Sequence, residues 1–468
     1  MNNPGVFLKE IDWPDFGQAP PVTAPTAGEL QTRLQLCREM MTERGLTHLV
    51  VYADREHSGN LLYLTHFDPR FEEALLILNR TNTPLLLVGN ECVGHLPVSP
   101  LYNAGGLRYE RYQPFSLLSQ PRNDSRSLAA ILKSEGIQPG SRVGCIGWKY
   151  FTAAEFPEPE LAIELPAIIV DVLRSLCGRE QVVNASDILL SPAYGLKASC
   201  SVYEIAQFEL SNIMASEGMK RLLQNFRYGI TDFELVQEYQ YTGYPLGCHI
   251  GMKSSGNQHI GLSSPVGALI RKGDPCSTNL SYWGSNSCRA GWVAASADDL
   301  PEAARDYVER FAGPYFYACA QWLQQLKIGA KGRDLYQLVQ DLLPFDQFAV
   351  FLNPGHLIHF EEWTSSPIYE GSEDTIRSGM YLQVDIIPRS KTYFSSRMED
   401  GVVIADAALR QALQQQYPAV YERCRTRRQF MIDTLGIQLP EEVLPLSNIP
   451  GIVPPFFLDH RTVLSLKN

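Results

Sequence analysis

Residues 351–404 read FLNPGHLIHFEEWTSSPIYEGSEDTIRSGMYLQVDIIPRSKTYFSSRMEDGVVI. A Gly-His pair (Gly355, His356) leads into His359, Glu361 and Glu362. The turn Gly379-Met380 then feeds an apolar-rich run ending Val384-Asp385-Ile386, and Arg397-Met398-Glu399-Asp400 opens a second. Each run reads as a strand that carries an acid among apolar neighbours. Such an acid is costly to bury unless it is paired or used. Two of them on neighbouring strands, behind a histidine, make a site.

Working outward, the full chain has 468 residues and a net charge of −11, with 45% hydrophobic and 19% charged residues. At about 150 residues per domain this suggests two or three domains, each with its own core. The negative balance and the lack of a Lys/Arg-rich run argue against nucleic acid as a partner. Ten cysteines are scattered with no CxxC pair, which supports neither a zinc finger nor a redox motif. No apolar run reaches the roughly 18 residues of a membrane span. The first sixteen residues lack the basic start and apolar stretch of a signal peptide. The expectation is a cytoplasmic protein with reduced thiols and no membrane contact.

Residues 1–28 are Pro-rich and read as an arm. Residues 29–194 alternate strands (around 47–52, 74–78, 84–88 and 142–147) with helical stretches, which indicates an α/β domain. A long helix is expected over residues 202–226. Thr231-Asp232-Phe233-Glu234 is a capping box opening another. Residues 247–295 turn to Gly, Ser and Asn with short apolar runs, which marks hairpins. Two further helices precede the opening stretch. Residues 195–435 therefore read as an α+β domain of two similar units on one sheet, and residues 436–468 as a tail.

Gly355-His356, Gly379-Met380 with Asp385, and Arg397-Met398-Glu399-Asp400 with Val402 and Ile404 resemble the motifs of the pita-bread superfamily, which holds methionine aminopeptidase, aminopeptidase P, prolidase and creatinase. The resemblance implies a creatinase/prolidase-type N-terminal domain, here including Asn60-Leu61-Leu62-Tyr63-Leu64-Thr65, and a pita-bread C-terminal domain. The family's metallopeptidases bind two metal ions through two Asp, one His and two Glu. Carried over, the first Asp falls on Asn279. The second falls on Asn286 with a shortened hairpin, or on Ala290 without a gap. The His falls on His356, and the two Glu on Asp385 and Glu399. The histidine of the family's His-Glu dipeptide is absent, since Trp363-Thr364 stands there.

Neutral amides cannot bridge two divalent cations as carboxylates do. The resemblance then points to creatinase, which has the fold but works without metal on a guanidinium-type carbon–nitrogen bond. The expectation is a metal-independent homodimeric hydrolase without cofactor, acting on a small cationic or zwitterionic amino-acid derivative. His356, Asp385 and Glu399 are its catalytic candidates. His259, Asn279, Asn286, His359, Glu361, Arg397 and Arg70 are candidates for substrate binding. His356 would carry the proton and the acids would hold the cation. Lyase or isomerase chemistry stays open, as does one weakly held divalent ion. Two alternatives stand beside this reading: an Xaa-Pro peptidase with an altered metal site, and a non-catalytic binding protein. Plain structural roles also compete, with Asn279 and Asn286 as turn residues and Glu361 and Glu362 as a solvated face.

Overall fold

In the computed structural model, which describes residues 5–254 and 263–467, the chain forms two compact units. One is Thr23–Ala198; the other joins Met1–Val22 to Ser199–Asn468. The first strand, β1 (Val6–Glu10), belongs to the second unit.

The N-terminal unit is built on β2 (His48–Ala53), β3 (Ala74–Asn79), β4 (Leu85–Val88), β5 (Arg108–Arg111), β6 (Val143–Ile146) and β7 (Val182–Asn184). They form one sheet in the order β5-β4-β3-β2-β6-β7. β2 pairs parallel with β6 and antiparallel with β3. The central strands are buried but for Asn79 at the end of β3, which is why they read as continuous apolar runs. Helices Leu128–Ser134 and Ala167–Cys177 cover one face, the second burying Ile169, Val170, Leu173 and Cys177.

The C-terminal unit adds β8 (Gly251–Ser254), β9 (Pro275–Leu280), β10 (Ser287–Trp292), β11 (His356–Leu357), β12 (Tyr381–Gln383), β13 (Arg397–Glu399), β14 (Gly401–Ile404), β15 (Val443–Pro445) and β16 (Thr462–Leu466). All of these but β16 form two four-stranded sheets, β13-β10-β9-β8 and β11-β12-β14-β15, in place of the single sheet expected. The chain passes from one to the other at Asp400, between β13 and β14. Hence the strand before Asp385 pairs with β14, not with the strand that carries Glu399. The helix Val202–Gln224 starts at a complete Ser201/Glu204 capping box, and the Thr231/Glu234 box is also formed. Its Glu209 is buried against Arg423 and Arg427 of the helix Pro418–Asp433.

The arm and tail differ from expectation. β1 pairs antiparallel with β16 along Val6↔Leu466 to Glu10↔Thr462, and β15 extends the second sheet beside β14. Pro-rich composition hid both; the short apolar runs Val443–Pro445 and Thr462–Leu466 are buried in the core.

One buried ion pair fixes the junction of the two sheets. Arg289 of β10 meets both Asp400 oxygens (3.1 and 2.8 Å) and donates to the carbonyls of Ile449 and Ile452. Neither side chain reaches solvent. Removing one partner strands a buried charge, so Asp400→Asn is expected to lower stability by about 3–5 kcal/mol. Urea unfolding checks this, and a loss near zero would show the clamp to be idle.

Candidate functional site

Along β13 side chains alternate, so Arg397 and Glu399 face one side and Met398 the other. Glu399 lies opposite Cys288 of β10, and Cys288 lies opposite Asn279 of β9. Arg397 lies opposite Ala290. This row floors a cleft of about 410 Å³, also lined by Cys248, Asn286, Glu362, Trp363, Asp385 and Arg389. His356 is brought to it from β11. The preceding Gly355 has φ +99°, and a Cβ there would meet the Trp322 ring at 2.6 Å. Only glycine fits, and it aims the next residue inward.

His356 is fully buried. Its Nδ1 donates to the Leu357 carbonyl (3.2 Å), which leaves Nε2 facing Glu362 (3.3 Å) and Asp385 (3.9 Å). Its ring stacks on Trp363, with centroids 4.1 Å apart. Burial pushes the imidazole pKa down, but the Glu362 charge and hydrogen bond, then Asp385, outweigh it, and the net shift is upward. Burial raises Glu362, yet His356 and hydrogen bonds from Glu399 and Asn286 bring it below the usual carboxylate range. Asp385 is raised by burial beyond what His356 and Arg397 offset. Glu399 is pushed well above its ordinary value by burial, then by Asp385 and Glu362. The neutral form of its carboxyl is thereby favoured.

Asn286 donates through Nδ2 to Glu399 Oε1 (2.8 Å) and, more distantly, to Glu362 Oε1 (3.5 Å). Asn279 donates to Cys248 Sγ (3.5 Å) and the His249 carbonyl (3.2 Å). Arg397 contacts Cys288 Sγ (3.6 Å). Burial lowers its pKa, but Cys288, Asp385 and Glu399 outweigh that and raise it. Both cleft thiols are pushed up by burial, Cys248 to about 12, so neither is an activated nucleophile. Arg289, beside Cys288 in sequence, turns away to Asp400, and the cation near Cys288 is Arg397.

The structure thus gathers His356, Asp385, Glu399, Asn279, Asn286 and Arg397 in one place. His359 does not join them: it is buried on Glu204 (2.9 Å), against Phe208. Glu361 does not line the cleft, and its neighbour Glu362 does. Arg70 belongs to the N-terminal unit, where it pairs with Asp68 (3.3 Å). His259 lies outside the described residues. Cys248 and Arg389 had no sequence signal of their own, Trp363 stood out only as the residue in place of the family's histidine, and Glu362 only as one of two adjacent acids. Glu361 and Glu362 are adjacent acids in a turn, and only the fold selects between them.

The dinuclear metal centre implied by the resemblance does not fit these donors. Asn286 presents N–H to Glu399, and the positions onto which the resemblance carries the two aspartates, Asn279 and Asn286 or Ala290, hold no carboxylate. His356, Glu362 and Glu399 do offer one atom each within 4.8 Å of one another, a set that fits a single ion.

No family model and no curated protein matches the chain. Solved structures do. The prolidase from Pyrococcus horikoshii OT3 aligns with TM-score 0.61 at 13% identity, over 80% of this chain and 95% of that one. Dipeptidase PepE from Mycobacterium ulcerans aligns with TM-score 0.61 at 14% identity, over 82% and 95%. The N-terminal domain of FACT complex subunit SPT16 from Cicer arietinum aligns with TM-score 0.58 at 15% identity, also over 82% and 95%. The chain has the pita-bread fold behind an α/β N-terminal unit. Among the described residues no helix is long and apolar enough to cross a membrane.

Glu399 supplies a pH test. Its folded carboxyl keeps a proton that the unfolded chain releases above about pH 4.3. Stability is therefore lost as pH rises from there towards the folded value. Glu399→Gln removes that cost. Its melting temperature should exceed the unsubstituted protein's at pH 8, and by less at pH 5; a lower one at pH 8 would mean that Glu399 is ionised and paired.

Proposed function

We propose that the cleft is the active site of a pita-bread hydrolase that cleaves a carbon–nitrogen bond in a small cationic or zwitterionic amino-acid derivative without a metal ion. The Asn286 amide carries this reading. It gives its hydrogen to Glu399 where a metallopeptidase would present a carboxylate. The cluster keeps its acids and lacks the bridging groups that two ions require.

A ligand amidinium or ammonium would bind Glu362, Glu399 and Asp385 through charge-assisted hydrogen bonds. The Trp363 face adds an aromatic wall that suits a cation. His356 is held by Leu357, with Nε2 aimed at the acids. In the hydrolysis, water adds to the carbon and the carbon–nitrogen bond breaks. The leaving nitrogen takes the proton from His356 Nε2, and Asp385 accepts the proton that water gives up.

Ammonia or amine release from guanidino, amidino and ureido carboxylates, measured on chelator-treated protein, tests the proposal. His356→Ala is expected to cut turnover about 10²–10⁴-fold. The single-ion donor set favours one rival, an Xaa-Pro peptidase with an altered metal site. Xaa-Pro cleavage that depends on added manganese, cobalt or zinc would replace the proposal with that rival.

A further inference from the structure

The acid end of the cleft has an opposite pole. Asp385, Ile387 and Arg389 all line the cleft, so every second residue of this segment faces it. An acid stands at one end, an apolar residue in the middle and an arginine at the other end. Leu352 adds a second apolar wall. Four residues of extended chain cover at most about 14 Å, which sets the upper length of this arrangement.

The two arginines of the cleft differ. Arg397 is buried, touches Cys288 Sγ (3.6 Å) and has the Asp385 carboxylate beside it. Arg389 is exposed, and among the described residues no carboxylate lies within ion-pair distance of it. Burial, then repulsion from Arg397, lowers its pKa. It is nevertheless held in place. Its backbone N–H donates to the Phe348 carbonyl (2.6 Å), and its guanidinium lies 4.6 Å over the Phe351 ring. Stacking on one face leaves the N–H edges available, and a planar fork of donors matches a carboxylate.

We propose that Arg389 anchors the ligand's carboxylate at the cleft mouth, so that the ligand is an extended zwitterion: a cationic head among Glu362, Glu399 and Asp385, an apolar stem along Ile387 and Leu352, and a carboxylate on Arg389. This rests on the reading of the acid end as a cation site. A plain α-amino acid carries both charges on one carbon. An ω-guanidino or ω-amino carboxylate, or a dipeptide, separates them along a stem, as Ile387 separates Asp385 from Arg389 along this segment.

Calorimetric titration with 4-guanidinobutyrate and n-butylguanidine, which share the cation and stem and differ in the carboxylate, separates the two claims. The chain should bind 4-guanidinobutyrate roughly tenfold or more tightly than n-butylguanidine, the range of a hydrogen bond to a charged group. Arg389→Gln should bring that ratio close to one by weakening only the carboxylate ligand, and Arg389→Lys should restore part of it. Arg389 is exposed and pairs with no acid, so these changes leave the fold intact. If both compounds bind and Arg389→Gln leaves their ratio unchanged, the anchor is wrong and the cation site stands. If neither compound binds, the cation site itself is wrong.

Discussion

Two buried carboxyl groups and a half-buried one around one cleft cannot all be ionised without positive charge close by. This constraint organises the site. Glu362 and Asp385 favour the charged imidazole of His356, Arg397 supplies a guanidinium beside Asp385, and burial favours the neutral carboxyl of Glu399. Asn286 adds an amide hydrogen. A carboxylate at position 286 would put a fourth acid against Glu399 and Glu362, and would need a metal ion to sit there. The amide is thus the partner that suits a cluster balanced by protons and organic cations.

The fold delivers these groups through two devices remote from the chemistry. The Arg289–Asp400 pair pins the point where the chain leaves one sheet for the other. Glu399 and Asp400, adjacent in sequence, can then serve opposite sides: one in the cleft, one in the clamp. Gly355 lets the backbone pass against Trp322 and sets the direction of His356. Both devices place an acid or a base where water is excluded, which is what shifts their proton affinities.

Much of this was legible in the sequence. The two acids among apolar neighbours, the Gly-His pair and the order of motifs identified the fold and most of the cleft. Asn279 and Asn286, where the resemblance sets the metal-binding aspartates, suggested the metal-free chemistry proposed for the cleft. What the sequence withheld depends on tertiary geometry. The acids sit in different sheets because the chain changes sheet at Asp400. Of the adjacent pair Glu361 and Glu362, a turn selects the second, and a local pattern holds no trace of that choice. His359 has the residue type of a site but is taken up by Glu204. The tail's strands were masked by proline, which is tolerated where a neighbouring strand needs no N–H.

The central claim is that the cleft is a cation site held one proton short of full ionisation. Calorimetric binding of n-butylguanidine near pH 7, repeated in buffers of different ionisation enthalpy, tests it most directly. A cation entering beside Glu399 should displace its proton, releasing about one proton per ligand bound. Binding with no proton exchange would contradict the account.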